Sequence, residues 1–126
     1  MSRVIAGLGF RRDCAAPDII AVVRDAGARA GRAVDALAVP DFKADEPGVQ
    51  AAASALALPL LRVSRAALRG EQGRCLTRSE TVRQATGFAS VAEAAALAAA
   101  GDGATLLLPR IASATAACAL AESFLA

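Results

Sequence analysis

The stretch RVIAGLGF, residues 3–10, decides how the rest of the chain is read. It is an unbroken apolar run rich in branched residues and closed by Gly7-Leu8-Gly9. That pattern predicts a buried first strand leaving its sheet through a tight turn. Working outward, Pro17-Asp18 opens a helix whose apolar face is Ile19, Ile20, Val22, Val23 and Ala26, with Gly31 as its stop. Residues 34–39 (VDALAV) form the next strand, closed by Pro40, and deliver the chain into the charged segment DFKADE at 41–46. Pro47-Gly48 starts a second helix running to about Leu56, and PLLRV at 59–63 is a third strand. Strand and helix alternating over some sixty residues imply βαβ units, hence parallel strands joined by right-handed crossovers.

Past Val63 the pattern is a helical turn at 65–68, a loop at 70–76 and then two helices. Thr77-x-x-Glu80 and Ser90-x-x-Glu93 both match the capping box, and Gly87 and Gly101 suit the position after a helix end. ATLLL at 104–108 reads as another buried strand, ended by Pro109. Residues 113–121 fit helix or strand equally, because alanine favours one and the alternation permits the other.

Composition narrows the chemistry. The chain has 126 residues, enough for one domain, with a formal net charge of +2, and 56% of it is hydrophobic. Alanine fills 35 positions and Tyr and Trp are absent, so the core is built from small and branched aliphatic side chains. There is no histidine, which excludes imidazole bases, imidazole metal ligands and Ser-His or Cys-His pairs. Cysteines at 14, 75 and 118 are odd in number and form no CxxC pair, so neither a disulfide framework nor a zinc site is expected. The near-balanced charge and the lack of stacking aromatics give no support to nucleic-acid binding. Thirteen of the fourteen cations are Arg, and an Ala-rich, Arg-over-Lys chain reads first as the imprint of a GC-rich genome. The longest uncharged stretch, 47–61, is shorter than the roughly 18 apolar residues of a membrane span. The apolar run at 4–10 holds two glycines and is followed at once by Arg11, Arg12 and Asp13, unlike a signal peptide. A cytoplasmic protein without membrane contact is the expectation.

Ligands of open α/β sheets bind outside the carboxyl ends of the parallel strands. Those ends place Arg11, Arg12, Lys43 and Arg65 beside Asp13, Asp41, Asp45 and Glu46 at one mouth, where cations can grip carboxylates or phosphates. Lys43 stands out as the only lysine. Gly7-x-Gly9 lacks the third glycine of the dinucleotide fingerprint, so a generic nucleotide-binding α/β domain is the weaker alternative. Glu93 is accounted for by capping or else faces a ligand. Thr86, Gly87 and Ser90 stand where free N–H groups at a helix start bind anions or merely punctuate helices.

Four segments, in order, resemble the cobalamin-biosynthesis family of CobE and the C-terminal domain of CbiG: GLGFRR at 7–12, DFKADEPGV at 41–49, SETVRQATGFASVAEAAAL at 79–97 and LLLPR at 106–110. The third, with its ATGxxSVAEAAA core, is the most specific. Departures are Phe10 where the family often has cysteine, Asp13 where it has glycine, and Arg110 where a lysine is common. The resemblance implies that residues 113–121 form a strand antiparallel to 104–108. The expected fold is thus a single α/β domain spanning residues 1–126: a mixed, mostly parallel sheet of about five strands, helices on both faces, the last two strands an antiparallel pair.

The resemblance further implies work on a precorrin or corrin intermediate. In the two-part relatives that work opens a ring-fused lactone and releases a two-carbon aldehyde. This chain, too short for their N-terminal part, resembles the stand-alone form of the aerobic route. Gly9, Arg11, Arg12, Asp41, Lys43, Thr86, Gly87 and Ser90 are the candidate ligand-binding residues. If there is catalysis, Glu46 or Glu93 serves as general acid or base, with Lys43 stabilising an oxyanion. A carrier or chaperone of corrin intermediates is the alternative. No metal or cofactor is expected, and the partners implied are the tetrapyrrole and other enzymes of the pathway.

Overall fold

A computed structural model describes residues 2–75 and 90–124. The order of elements is β1 (Ser2–Phe10), α1 (Ala16–Ala30), β2 (Ala36–Pro40), a 3-10 turn (Asp41–Lys43), α2 (Pro47–Leu56), β3 (Leu60–Val63) and α3 (Arg65–Gly70). A second 3-10 turn (Gln72–Arg74), α4 (Val91–Ala100), β4 (Thr105–Ala112) and β5 (Ala116–Phe124) complete it. The helix expected between Thr77 and Gly87, with its capping box, lies outside the described residues. The sheet order is β3-β2-β1-β5-β4. β1, β2 and β3 are mutually parallel, and β5 pairs antiparallel with both β1 and β4, so it alone runs against the other four. The expected five-stranded mixed α/β domain is the observed one.

Local chemistry explains the first helices. Pro17 occupies the first turn of α1, where its missing N–H is not needed, and Gly31 ends the helix at φ 66°, its N–H reaching Ala28 O. α1 and α2 cover one face, burying Ile19, Val22, Val23 and Val49 against Val4, Leu8, Leu37, Val39 and Leu120. α3 and α4 cover the other, packing Leu68, Ala94 and Ala95 on Ile5, Ala36, Ala38 and Val63.

Three expectations need correction. Gly7 and Gly9 do not form a turn: β1 continues through them to Phe10. Gly7 instead lets α4 lie directly on the sheet, since a Cβ there would stand 2.0 Å from Ala92 O and 2.5 Å from Ala96 N. α4 is buried from Val91 to Leu97, and Ala92 meets Ala117 and Ala119 of β5. Much of the alanine content is therefore close-packing material, not only genomic bias. Pro109 does not end β4, which runs on to Ala112. β4 is an edge strand, where a missing donor is tolerated, and the pairing shifts register on either side of Leu108. The last strand begins at Ala116, leaving 113–115 as the turn in which Ser113 Oγ accepts from Ala116 N. It is buried from Ala116 to Ser123, because β1 and β4 flank it and helices roof both its faces.

No helix among the described residues is long and apolar enough to cross a membrane.

Candidate functional site

The carboxyl ends of β1, β2 and β3 lead into three short connections, and the residues between them tie these together. The β1–α1 loop is braced at three points. Arg11 N donates to Thr115 O of the β4–β5 turn at 2.9 Å. Asp13 N donates to Glu46 Oε1 at 2.9 Å. Gly48, at the start of α2, lies so near the loop that a Cβ would stand 2.0 Å from Cys14 O. Asp13 itself adopts φ 61°, a left-handed conformation that Asp visits more readily than most residues.

The second connection supplies charges. Lys43 Nζ pairs with Glu46 Oε2 at 2.6 Å and lies 4.8 Å from the centre of the Phe10 ring. Arg62, on β3, forms a fork with Asp45 through two 3.1 Å bonds and reaches Asp41 at 3.2 Å. Arg65, just past β3, sits 4.2 Å over the Phe42 ring. Among the described residues, neither Arg11, Arg12 nor Arg65 has a hydrogen-bonded or ion-paired partner for its guanidinium. Arg11 and Arg12 are exposed on the braced loop.

Burial would raise the Glu46 carboxyl pKa, but the hydrogen bonds from Lys43 and Asp13 N and the nearby charges of Lys43 and Arg12 hold it below its ordinary 4.5. Glu46 is thus a resident anion at neutral pH, better suited to bracing the loop than to moving a proton. Arg62 holds Asp45 below its ordinary value in the same way. Because the Glu46 pKa is lowered on folding, its contribution to stability is complete above about 4.5 and lost as pH falls through the lower folded value. Glu46→Gln should therefore flatten the acid side of the stability–pH curve, measured as urea midpoints from about pH 6 down to 3. An unchanged slope would contradict the bracing role.

The other predicted carboxylate is placed differently. Ser90 Oγ accepts from Glu93 N at 3.3 Å, the first half of the capping box. Glu93 is fully buried, and its Oε2 accepts from Arg110 N at 2.9 Å. The register shift in β4 takes Arg110 off the regular ladder, and Glu93 takes up its N–H. Gly9 lies beneath the start of α4, where a Cβ would be 3.9 Å from Ala92 N.

The structure thus brings Arg11, Arg12, Asp41, Lys43, Glu46 and Arg65 to one end of the sheet. Ser90 and Glu93 are buried on the α4 side, and Thr86 and Gly87 lie outside the described residues. Arg62, Phe10 and Phe42 were not anticipated as part of this end. A single charge inside the apolar PLLRV was the available sign for Arg62. All three cysteines are buried, and burial pushes the Cys118 thiol up to about 12, so it is no nucleophile at neutral pH. Among the described residues no group of three or more His, Cys, Asp or Glu is placed to hold a metal ion.

At the opposite end of the sheet, Val23, Arg24, Gly27, Leu56 and Leu58 line an open groove of about 520 Å³. Arg32 on its rim is already engaged with Glu122 and Ser2.

Residues 4–121 match the family described as cobalamin synthesis G C-terminus. The chain is 40% identical over 121 residues to Protein CobE of Sinorhizobium sp., covering 94% of this chain and 79% of that protein. It is similar to the crystal structure of CobE, a protein from the cobalamin biosynthetic pathway, with a TM-score of 0.90 and 39% identity over 98% of this chain and 92% of that one. It is also similar to cobalamin biosynthesis protein chiG of Agrobacterium tumefaciens, with a TM-score of 0.76 and 41% identity over 94% and 96% of the two chains.

Proposed function

Since the chain belongs to the cobalamin synthesis G C-terminus family and is a cobalamin biosynthesis protein of the CobE/CbiG type, we propose that it holds a corrin or precorrin intermediate by its peripheral carboxylates. The grip lies at the strand carboxyl ends. The observation that carries this reading is the pair of exposed guanidiniums on the braced loop, Arg11 and Arg12, which have no hydrogen-bonded or ion-paired partner among the described residues. Corrin precursors are flat rings fringed with acetate and propionate groups, and guanidinium forks match carboxylates in geometry and charge. Bracing matters because a loop already held in shape loses little entropy on binding.

The same reading favours holding the intermediate for a neighbouring enzyme over transforming it. Histidine is absent, Glu46 is kept anionic, and Glu93 is buried and clasps Arg110 N. Lys43 and Asp41 are each committed to an ion pair, so their part is to shape the mouth more than to seize a carboxylate. The partners in this reading are the tetrapyrrole and the pathway enzymes that deliver and receive it, in the cytoplasm. Incubating the purified protein with isolated corrin intermediates separates the two roles. A shifted absorption spectrum with unchanged ligand mass is expected. A new mass would mean catalysis, and an unperturbed spectrum with no retention would remove the reading altogether.

A further inference from the structure

Aromatic side chains are scarce in this chain, with four Phe and neither Tyr nor Trp. Of the three Phe in the described residues, two stand at the strand carboxyl ends, each with a cation over its ring. The two pairs differ in what they leave open. Phe10 is half-buried and its lysine is tied to Glu46. Phe42 is 40% exposed, and Arg65 above it has no carboxylate partner among the described residues.

The segment carrying Phe42 is also cross-braced. It is the middle residue of the Asp41–Lys43 turn, and Arg62 clamps that segment through Asp41 before it and Asp45 after it. A cation–π pair at an exposed site contributes little to stability, so the contact with Arg65 does not by itself account for a ring that faces water in part. Position adds a second argument. β3 and β1 are separated by β2, and strands lie about 4.8 Å apart, so Arg65 stands roughly 10 Å along the sheet edge from Arg11 and Arg12, with Phe42 between them. A phosphate or a small dicarboxylate spans only one of these points. A flat, conjugated ring with carboxylates on its rim spans both.

We infer that Phe42 and Arg65 form a second contact zone for a planar polycarboxylate macrocycle, Phe42 packing on the ring and Arg65 taking a carboxylate at the rim opposite the one held by Arg11 and Arg12. This rests on the reading proposed above and adds to it the shape of the ligand.

The test compares two probes, a corrin bearing free acetate and propionate groups and citrate, a polycarboxylate with no ring. Wild type, Phe42→Ala, Phe42→Trp, Arg65→Ala and Arg11→Ala are titrated with each. Phe42→Ala and Arg65→Ala should each weaken the corrin about tenfold, Phe42→Trp should retain it, and Phe42→Ala should leave citrate unchanged. Corrin binding that weakens in Arg11→Ala but persists in Phe42→Ala and Arg65→Ala overturns this zone and leaves the broader reading standing. Equal losses of corrin and citrate in Phe42→Ala also overturn it. No corrin binding by wild type removes the broader reading itself. Because more than half of Phe42 is buried, Phe42→Trp, which keeps an aromatic ring there, is the variant expected to hold the wild-type urea midpoint, and it separates loss of the contact from loss of stability.

Discussion

Gly7→Ala is expected to lower the stability of the domain by about 3 kcal/mol or more, the upper range for overpacking a core. The cause is steric. An added Cβ would stand 2.0 Å from Ala92 O and 2.5 Å from Ala96 N, both backbone atoms of α4. No rotamer change can move them, so the whole helix must lift from β1. Lifting it opens the contacts of Ala94 and Ala95 with Ile5 and Ala38, and of Ala92 with β5. Gly9→Ala is the matched control. Two positions along the same strand, its Cβ would meet Ala92 N and Val91 Cβ at an ordinary 3.9 Å, so its stability should change by less than about 1 kcal/mol. Urea unfolding of both variants measures the difference, and equal midpoints would show that α4 does not rest on Gly7.

The second large effect is on binding. Replacing Arg11 and Arg12 together by Ala should weaken a carboxylate-rich tetrapyrrole about a hundredfold at low salt. Hydrogen bonds to charged groups contribute roughly 1.5–3 kcal/mol, and solvent exposure reduces each guanidinium here to about a factor of ten. The two factors multiply if the residues hold different carboxylates. Stability should change little, because neither guanidinium has a hydrogen-bonded or ion-paired partner among the described residues, and the loop is braced through backbone groups and Glu46, on which Arg12 acts only through its nearby charge. Isothermal titration against wild type, with urea midpoints for both, checks the two halves together. A double variant that binds as wild type does would move the grip elsewhere.

How far the sequence carried this depends on whether the deciding contact is local. Pro17, Gly31 and Pro47 act within a few residues of themselves, and α1 and α2 appear where they point. That Arg11, Arg12, Lys43 and Arg65 lie at one end of the sheet was legible for the same reason, because strand ends follow from strand positions. Gly7 reads as a turn from sequence alone, since a glycine under a helix and a glycine in a turn look alike until the helix is placed. Glu93 is a different case. The cap at Ser90, whose Oγ accepts from Glu93 N, was local and readable, but the Glu93 carboxylate meets an N–H that a register shift in β4 takes off the ladder, seventeen residues away. Pro109 misled in the same way, because whether proline ends a strand depends on which edge of the sheet it faces. The central position of β5 likewise follows from its pairing with β1, a long-range fact that alternation within residues 113–121 does not contain.

The most direct test of the account is a comparison of two ligands on the wild-type protein: a corrin bearing free acetate and propionate groups, and the same ring with those groups amidated. The cationic grip predicts that the acid binds, that its affinity falls as salt rises, and that the amide binds at least tenfold more weakly. Equal binding of the two, or binding of neither, would contradict it.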